Sequence, residues 1–161
     1  MSNPSESAQS TYTPPESPSP NLQTTLLFVE ALNEWNFSKV APLFDDSLEH
    51  HVLPKSLGRP VLGKEEYLIN FKKAMPLFKY FNVRRYVGSS AGESVSGSPY
   101  GNEYMLIIHF APPKEGGDGL PKISKIKEFI DSARVLKFFE EERGKGAGEI
   151  ADAVSQVIGG A

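Results

Sequence analysis

SPYGNEYMLIIHF (residues 98–110) and KISKIKEFIDS (residues 122–132), separated by a Pro- and Gly-rich turn over 111–121, decide the fold. In the second stretch Ile126 and Ile130 share one face with Ser124 and Glu128, while Lys125, Lys127, Phe129 and Asp131 share the other. That alternation predicts a long strand. The core of the first stretch, YMLIIHF (104–110), is apolar on both sides, which predicts a strand covered on both faces.

Upstream, Phe81, Val83, Tyr86 and Val87 form one short strand-like run. Before it, Gly63, Lys64, Glu65 and Glu66 open a long helix with Tyr67, Leu68, Phe71, Ala74, Met75 and Phe78 as its apolar positions, and Pro76 should kink or shorten its last turn. DSLEHHVL (46–53) alternates around Leu48 and Val52 and ends at Pro54, so it predicts another strand, followed by the turn-rich loop PKSLGRP (54–60). Leu26, Leu27, Val29, Ala31, Leu32 and Trp35 recur near helical spacing, with Asn21 or Thr24 as the expected cap, and a second short helix is expected over 38–44 with Ser38 as its cap. Residues 1–21 (MSNPSESAQSTYTPPESPSPN) offer almost nothing to bury and are expected to be a disordered tail. Downstream, 135–143 reads as a short helical end. A glycine-rich joint over 144–148 then precedes a weak helical pattern in Ile150, Val154, Val157 and Ile158. The expected organisation is one domain over 22–143 between an N-terminal tail and a flexible tail, 144–161, that carries at most a short helix.

Composition narrows the chemistry. With 161 residues the chain is sized for a single hydrophobic core. Its formal charge of -3, from 17 basic and 20 acidic residues, supplies no general attraction to nucleic acid or an anionic membrane. The absence of cysteine removes disulfides, thiolate nucleophiles and sulfur-based zinc sites. No basic n-region with a following apolar stretch opens the sequence, and no run approaches the roughly 20 apolar residues of a spanning helix, so a soluble, cytoplasmic protein is expected. No phosphate-cradling glycine loop, GxSxG elbow, metal cluster or repeat is present, which argues against P-loop enzymes, Rossmann dehydrogenases and α/β-hydrolases. No cofactor and no metal are expected.

The order helix, helix, strand, long helix, strands resembles the NTF2-like superfamily over about residues 22–143. ALNEWNFSKVAPLFDD (31–46) is similar to that family's opening pair of helices, and SPYGNEYMLIIHF with KISKIKEFIDS resembles the terminal hairpin of its SnoaL-like members. HVLPKSLGRP (51–60) is also similar to small fungal proteins of the family that isomerise or hydrolyse terpenoid and polyketide intermediates. The resemblance implies an α+β cone, a curved antiparallel sheet wrapped around a long helix, with an internal pocket for a small, largely apolar molecule and a homodimer through the outer face of the sheet. Such a family places two full strands before PYxNEY, whereas 81–99 is interrupted by SSAGES and SGS, so one strand is expected to be truncated.

Glu128 is the first candidate for chemistry. It matches the acidic position of the family's final strand, and a carboxylate beside apolar walls can exchange protons near neutrality; the alternative is a solvated glutamate paired with a strand lysine. His50 is in phase with Leu48 and Val52 and so is a candidate to face the pocket as proton shuttle or hydrogen-bond donor, whereas His51 shares its face with Glu49 and Leu53. Only one of the two should point inward, and His109 has the same ambiguity. Arg59, in the LGRP loop, is either a clamp for a substrate oxygen or a surface arginine. Tyr67, Asn70 and Tyr104 are candidates to line the pocket, Asp131 a strand-end cap or a reserve acid. Phe71, Phe78, Phe81, Phe110 and Phe129 read as ordinary core. The functions this supports are a cofactor-free isomerase, lyase or hydrolase, or else a noncatalytic binding or dimerisation module of the same fold.

Overall fold

The structure is a computed structural model that describes residues 15–83, 87–112 and 119–145. The expected terminal tails lie mostly outside these residues, as does the helical pattern over 150–158. Helix α1 (Pro20–Asn33) starts two residues before the expected boundary, because Ser19 caps it and Pro20 occupies its first turn. Helix α2 (Phe37–Val40) is capped by Asn36 rather than Ser38. A 3-10 turn over Ala41–Leu43 follows it, so Phe44 already belongs to strand β1 (Phe44–Leu53). The Leu53–Pro54 peptide bond is cis.

Helix α3 (Lys64–Ala74) begins where the Glu66 carboxylate reaches back to the Gly63 N–H at 2.9 Å, and the chain tightens into a 3-10 turn at Met75–Leu77, where Pro76 can no longer donate to an α-helical ladder. Strands β2 (Phe78–Val83), β3 (Val87–Ser94), β4 (Pro99–Phe110) and β5 (Ile123–Ile130) follow, and α4 (Ser132–Gly144) ends the described chain. Two strands thus precede PYGNEY, and the expected truncation of one is corrected: β2 and β3 are short but pair from Phe78 opposite Ser94 to Val83 opposite Ser90, and β3 pairs with β4 from Val87 to Glu93. The turn back to β4 succeeds because Gly97 takes the left-handed conformation (φ 87°).

The five strands form one curved, unclosed sheet in the order β1-β5-β4-β3-β2. It is antiparallel except for its first pair: β1 runs parallel to β5, with His50 opposite Ile126 and Val52 opposite Glu128. On the concave side lie α1 and α3. Asn33 fastens α1 to the free edge of β2 through both backbone groups of Val83, at 2.6 and 3.3 Å, and the Thr24 hydroxyl donates to the Pro121 carbonyl at 2.8 Å. The core has two adjoining parts, one around Phe28, Phe44, Phe71 and Ile126, the other around Leu77, Phe78, Tyr100 and Phe139.

The outer face corrects two expectations. Strand β4 is covered on one side only, since Met105 and Ile107 remain 37% and 38% exposed, and Phe129 is a surface residue at 40% rather than core. Period-2 alternation had placed Phe129 opposite to Glu128, and it is Glu128 that faces inward.

Helix α4 starts earlier than expected because Asp131 caps it, accepting from the Arg134 N–H at 3.3 Å. Its far end is held by a fully buried carboxylate. Glu142 accepts from the Ser96 hydroxyl at 2.7 and 3.0 Å and from the Ser98 hydroxyl, which also receives Lys145 Nζ. Burial alone would raise the Glu142 carboxyl, but hydrogen bonds from Ser98, Ser96 and Ser94 and the charge of Lys145 outweigh it and hold the group below the ordinary glutamate value of 4.5. A carboxyl depressed in the folded state stabilises above its unfolded value and loses that contribution as pH falls through the folded one. Glu142→Gln should therefore unfold about 1–2 kcal/mol more easily than the parent in urea at pH 7, with the gap closing once the pH is low enough to protonate Glu142. Equal stability at pH 7 would contradict the latch.

Candidate functional site

Between the concave sheet and helices α1 and α3 lies a cavity of about 120 Å³, on the scale of cavities of about 150 Å³ that take up benzene. Its walls are mainly apolar: Phe28 and Leu32 from α1, Phe71 and Ala74 from α3, and Phe78, Leu106 and Ile126 from the sheet. Trp35 completes one side by an unusual route. Helix α1 ends with Asn36 N–H on the Ala31 carbonyl and Trp35 N–H on the Leu32 carbonyl, the paired termination that places Trp35 in the left-handed region (φ 50°), where glycine is the usual occupant. The indole then sits between Phe71 and Phe78, at ring-centroid distances of 5.2 and 5.9 Å.

Into this apolar space project His50 and Glu128. His50 Nε2 lies 3.0 Å from Glu128 Oε2, with the imidazole side chain 4% exposed and the carboxylate 27%. The other ring nitrogen, Nδ1, is buried and has no hydrogen-bond partner among the described residues. The ring proton therefore belongs on Nε2, donated to the carboxylate. Glu128 Oε1 is left as the oxygen that can meet a ligand. Tyr67 packs its ring edgewise on His50 at 5.0 Å, and burial together with the Glu128 charge pushes its phenol above the ordinary range, so it stays a neutral hydroxyl.

Of the residues singled out from sequence, Glu128, His50, Tyr67, Asn70 and Tyr104 all line the cavity. Four others do not. His51 lies on the outer face with its Nε2 3.0 Å from Glu49, which also pairs with Lys125 at 2.9 Å. His109 is exposed on that same face, opposite Lys125. Asp131 serves as the α4 cap, and Arg59 is half-buried in its loop, where desolvation lowers its guanidinium from the ordinary value. The residues that sequence reasoning missed are Trp35, Ser90, Tyr100 and Asn102. For the last two the signal was available: Tyr100, Asn102 and Tyr104 alternate in PYGNEY and share the face that includes Leu106. Among the described residues no group of three His, Asp or Glu side chains is arranged to hold a metal ion. No helix among them is long and apolar enough to cross a membrane.

No protein-family model matches the sequence, and no curated protein does either. Solved structures do. BvnE pinacolase from Penicillium brevicompactum aligns with a TM-score of 0.63 at 21% identity, covering 80% of this chain and 96% of its own. PrhC from Penicillium brasilianum aligns at 0.64 and 16%, covering 85% and 97%. An NTF2-like protein from Burkholderia xenovorans aligns at 0.51 and 14%, covering 73% and 94%. The chain has the NTF2-like fold. Within that fold the cavity occupies the space between the concave sheet and its helices, and the His50–Glu128 pair stands on the two strands, β1 and β5, that pair in parallel.

Proposed function

We propose that the protein is a cofactor-free enzyme, an isomerase, lyase or hydrolase, that moves protons on a terpenoid- or polyketide-like intermediate of secondary metabolism. The observation that carries the reading is a carboxylate held at 3.0 Å by a buried imidazole inside a mainly apolar cavity. Glu128 is the acid/base and His50 its positioning residue. In the simplest case Glu128 Oε1 takes a proton from a carbon beside a carbonyl, and the C–H electron pair moves into an enolate with its charge on oxygen. The protonated carboxyl then returns the proton at another carbon, so the net change is an isomerisation with no co-reactant. Burial of a carboxylate among aromatic rings is costly unless it is bonded, and His50 supplies that bond while leaving one oxygen available. Arg59, a candidate clamp for a substrate oxygen, is not part of this cavity lining. A further support is that one structural neighbour is a pinacolase.

The test uses a small aryl ketone, acetophenone, in deuterated buffer, with incorporation of deuterium at its methyl group followed by NMR. The wild-type protein should accelerate exchange above buffer, and Glu128→Gln should remove about 10²- to 10⁴-fold of that acceleration while melting as the parent does. Exchange unchanged in Glu128→Gln would reject the acid/base role.

A homodimer through the outer sheet face belongs to the same proposal. Leu53, Phe129 and Met105 form one row across β1, β5 and β4, beside the partly exposed Ile107 and flanked by Glu49 and Lys125. A two-fold copy would lay these rows on each other. Sedimentation at micromolar concentration should give a dimer that Phe129→Lys dissociates, and a 17.7 kDa species alone would reject it.

A further inference from the structure

Helix α3 brings Tyr67, Asn70, Phe71 and Ala74 to the cavity at the spacing of one helical face. Tyr67 and Asn70 are polar, and the proton transfer above uses neither. Tyr67 is fixed to the start of the helix, where its N–H donates to the Gly63 carbonyl at 2.9 Å. Its ring packs edgewise against two others, Phe44 at 5.1 Å and His50 at 5.0 Å. Held on both sides, the ring keeps its hydroxyl in one place.

That hydroxyl makes no hydrogen bond to a described residue, and neither does Glu128 Oε1, the oxygen that His50 leaves uncovered. Both oxygens are open to contact rather than sealed in the packing. They belong to one corner of the cavity, because the imidazole that Tyr67 packs against is the one that holds Glu128. Burial, and after it the charge of Glu128, keeps the Tyr67 phenol above its ordinary range, so it meets a ligand as a neutral O–H. One corner thus presents a donor and an acceptor that do not satisfy each other. A carbonyl oxygen accepts from Tyr67 and offers Glu128 nothing. An ammonium group offers Glu128 protons and gives Tyr67 nothing to donate to. A hydroxyl does both, with one O–H donor and two acceptor lone pairs on a single atom. A carboxylate oxygen accepts more than one bond, so a hydroxyl held there leaves Oε1 able to take a proton from the neighbouring carbon.

We propose that Tyr67 and Glu128 together seat a hydroxyl group, and that the ligand is a largely hydrocarbon alcohol whose hydroxyl stands beside the carbon that exchanges its proton. This rests on Glu128 as the proton-transfer group and names the class of ligand it acts on. The Tyr67 O–H donates to the ligand oxygen, and the ligand O–H donates to Glu128 Oε1. The rest of the molecule meets the apolar wall of Phe28, Leu32, Phe71 and Ile126.

The test measures binding of three probes of nearly one shape by NMR titration: 1-phenylethanol, taken as its tighter enantiomer, acetophenone, which accepts but cannot donate, and cumene, in which a methyl group replaces the hydroxyl. Wild-type protein should prefer 1-phenylethanol to acetophenone about tenfold, the worth of a hydrogen bond to a charged group, and acetophenone to cumene about fivefold, the worth of a neutral one. Tyr67→Phe should weaken the alcohol and the ketone about fivefold each and leave cumene unchanged, whereas a merely structural role would shift all three alike. In Glu128→Gln the His50 Nε2 proton holds the amide oxygen and turns the NH2 group, a donor, toward the ligand. Alcohol and ketone should then bind within about twofold of each other. Equal affinity for the three probes, tighter binding of the ketone than of the alcohol, no binding of any probe, or an equal shift of all three in Tyr67→Phe would overturn the proposal. The wild-type ranking decides even if Tyr67→Phe melts early. Loss of the alcohol preference in Asn70→Ala but not in Tyr67→Phe would put the hydroxyl one turn further along α3 and also overturn it. Glu128→Gln separates the two claims. If it equalises alcohol and ketone but keeps deuterium exchange, the hydroxyl seat stands and the acid/base role fails. If it removes exchange but keeps the full alcohol preference, the acid/base role stands and the seat is refuted.

Discussion

His50 has its backbone bonded on both sides. Its N–H donates to the Leu62 carbonyl at 2.8 Å and its carbonyl accepts from the Leu62 N–H at 3.0 Å, while on the other flank β5 pairs Ile126 opposite it. With both edges of the strand occupied, the residue has no freedom to rotate, and period-2 alternation sends its ring into the cavity with Leu48 and Val52. Glu128 stands two residues beyond Ile126 on the same face, so parallel pairing puts the carboxylate within reach of Nε2. The chemistry of the cavity is set by this register. A one-residue slip of either strand would send one partner to solvent.

The pair does little for stability. A hydrogen bond to a charged group contributes about 1.5–3 kcal/mol, whereas removing a carboxylate from water costs several kcal/mol, and apolar replacements of buried ion pairs are often neutral or stabilising. Its contribution is to the chemistry of the cavity, and stability comes from elsewhere. Phe138 stacks on Phe78 at 5.8 Å and 6°, and Phe139 is fully buried, so α4 backs the cavity wall from outside. The Glu142 latch fastens that helix to the β3–β4 turn. A wall supported in this way holds Phe78 and Tyr100 in place, their rings packed on each other and on Phe138.

Much of this was legible in the sequence. The alternation in KISKIKEFIDS put Glu128 on one face with Ile126 and Ile130, the phase of DSLEHHVL put His50 in step with Leu48 and Val52 without deciding between it and His51, and Pro76 marked the end of α3. What failed was information that only long-range pairing supplies. Strand β3 (VGSSAGES) has almost no apolar side chains, so its identity rests on backbone bonds to β2 and β4 on both flanks rather than on hydrophobic pattern. Apolar residues on both faces of YMLIIHF did not reveal that one face is left open. Arg59 read equally as a clamp or as a surface arginine, because where a loop side chain lands depends on how the loop packs. Ser90 carried no signal, because a serine in a glycine-rich stretch gains its meaning from standing opposite Asn102.

The central claim is that His50 donates from Nε2 to Glu128 and leaves a carboxylate oxygen to the ligand. With three histidines in the chain, the two-bond proton–nitrogen correlation spectrum of the imidazoles can be assigned by single substitutions and read for tautomer. The account predicts that His50 carries its proton on Nε2 at neutral pH, with Nδ1 bare, and that the Nε2 proton shifts when Glu128 becomes glutamine. A His50 ring protonated on Nδ1, or an Nε2 proton indifferent to Glu128→Gln, would contradict it.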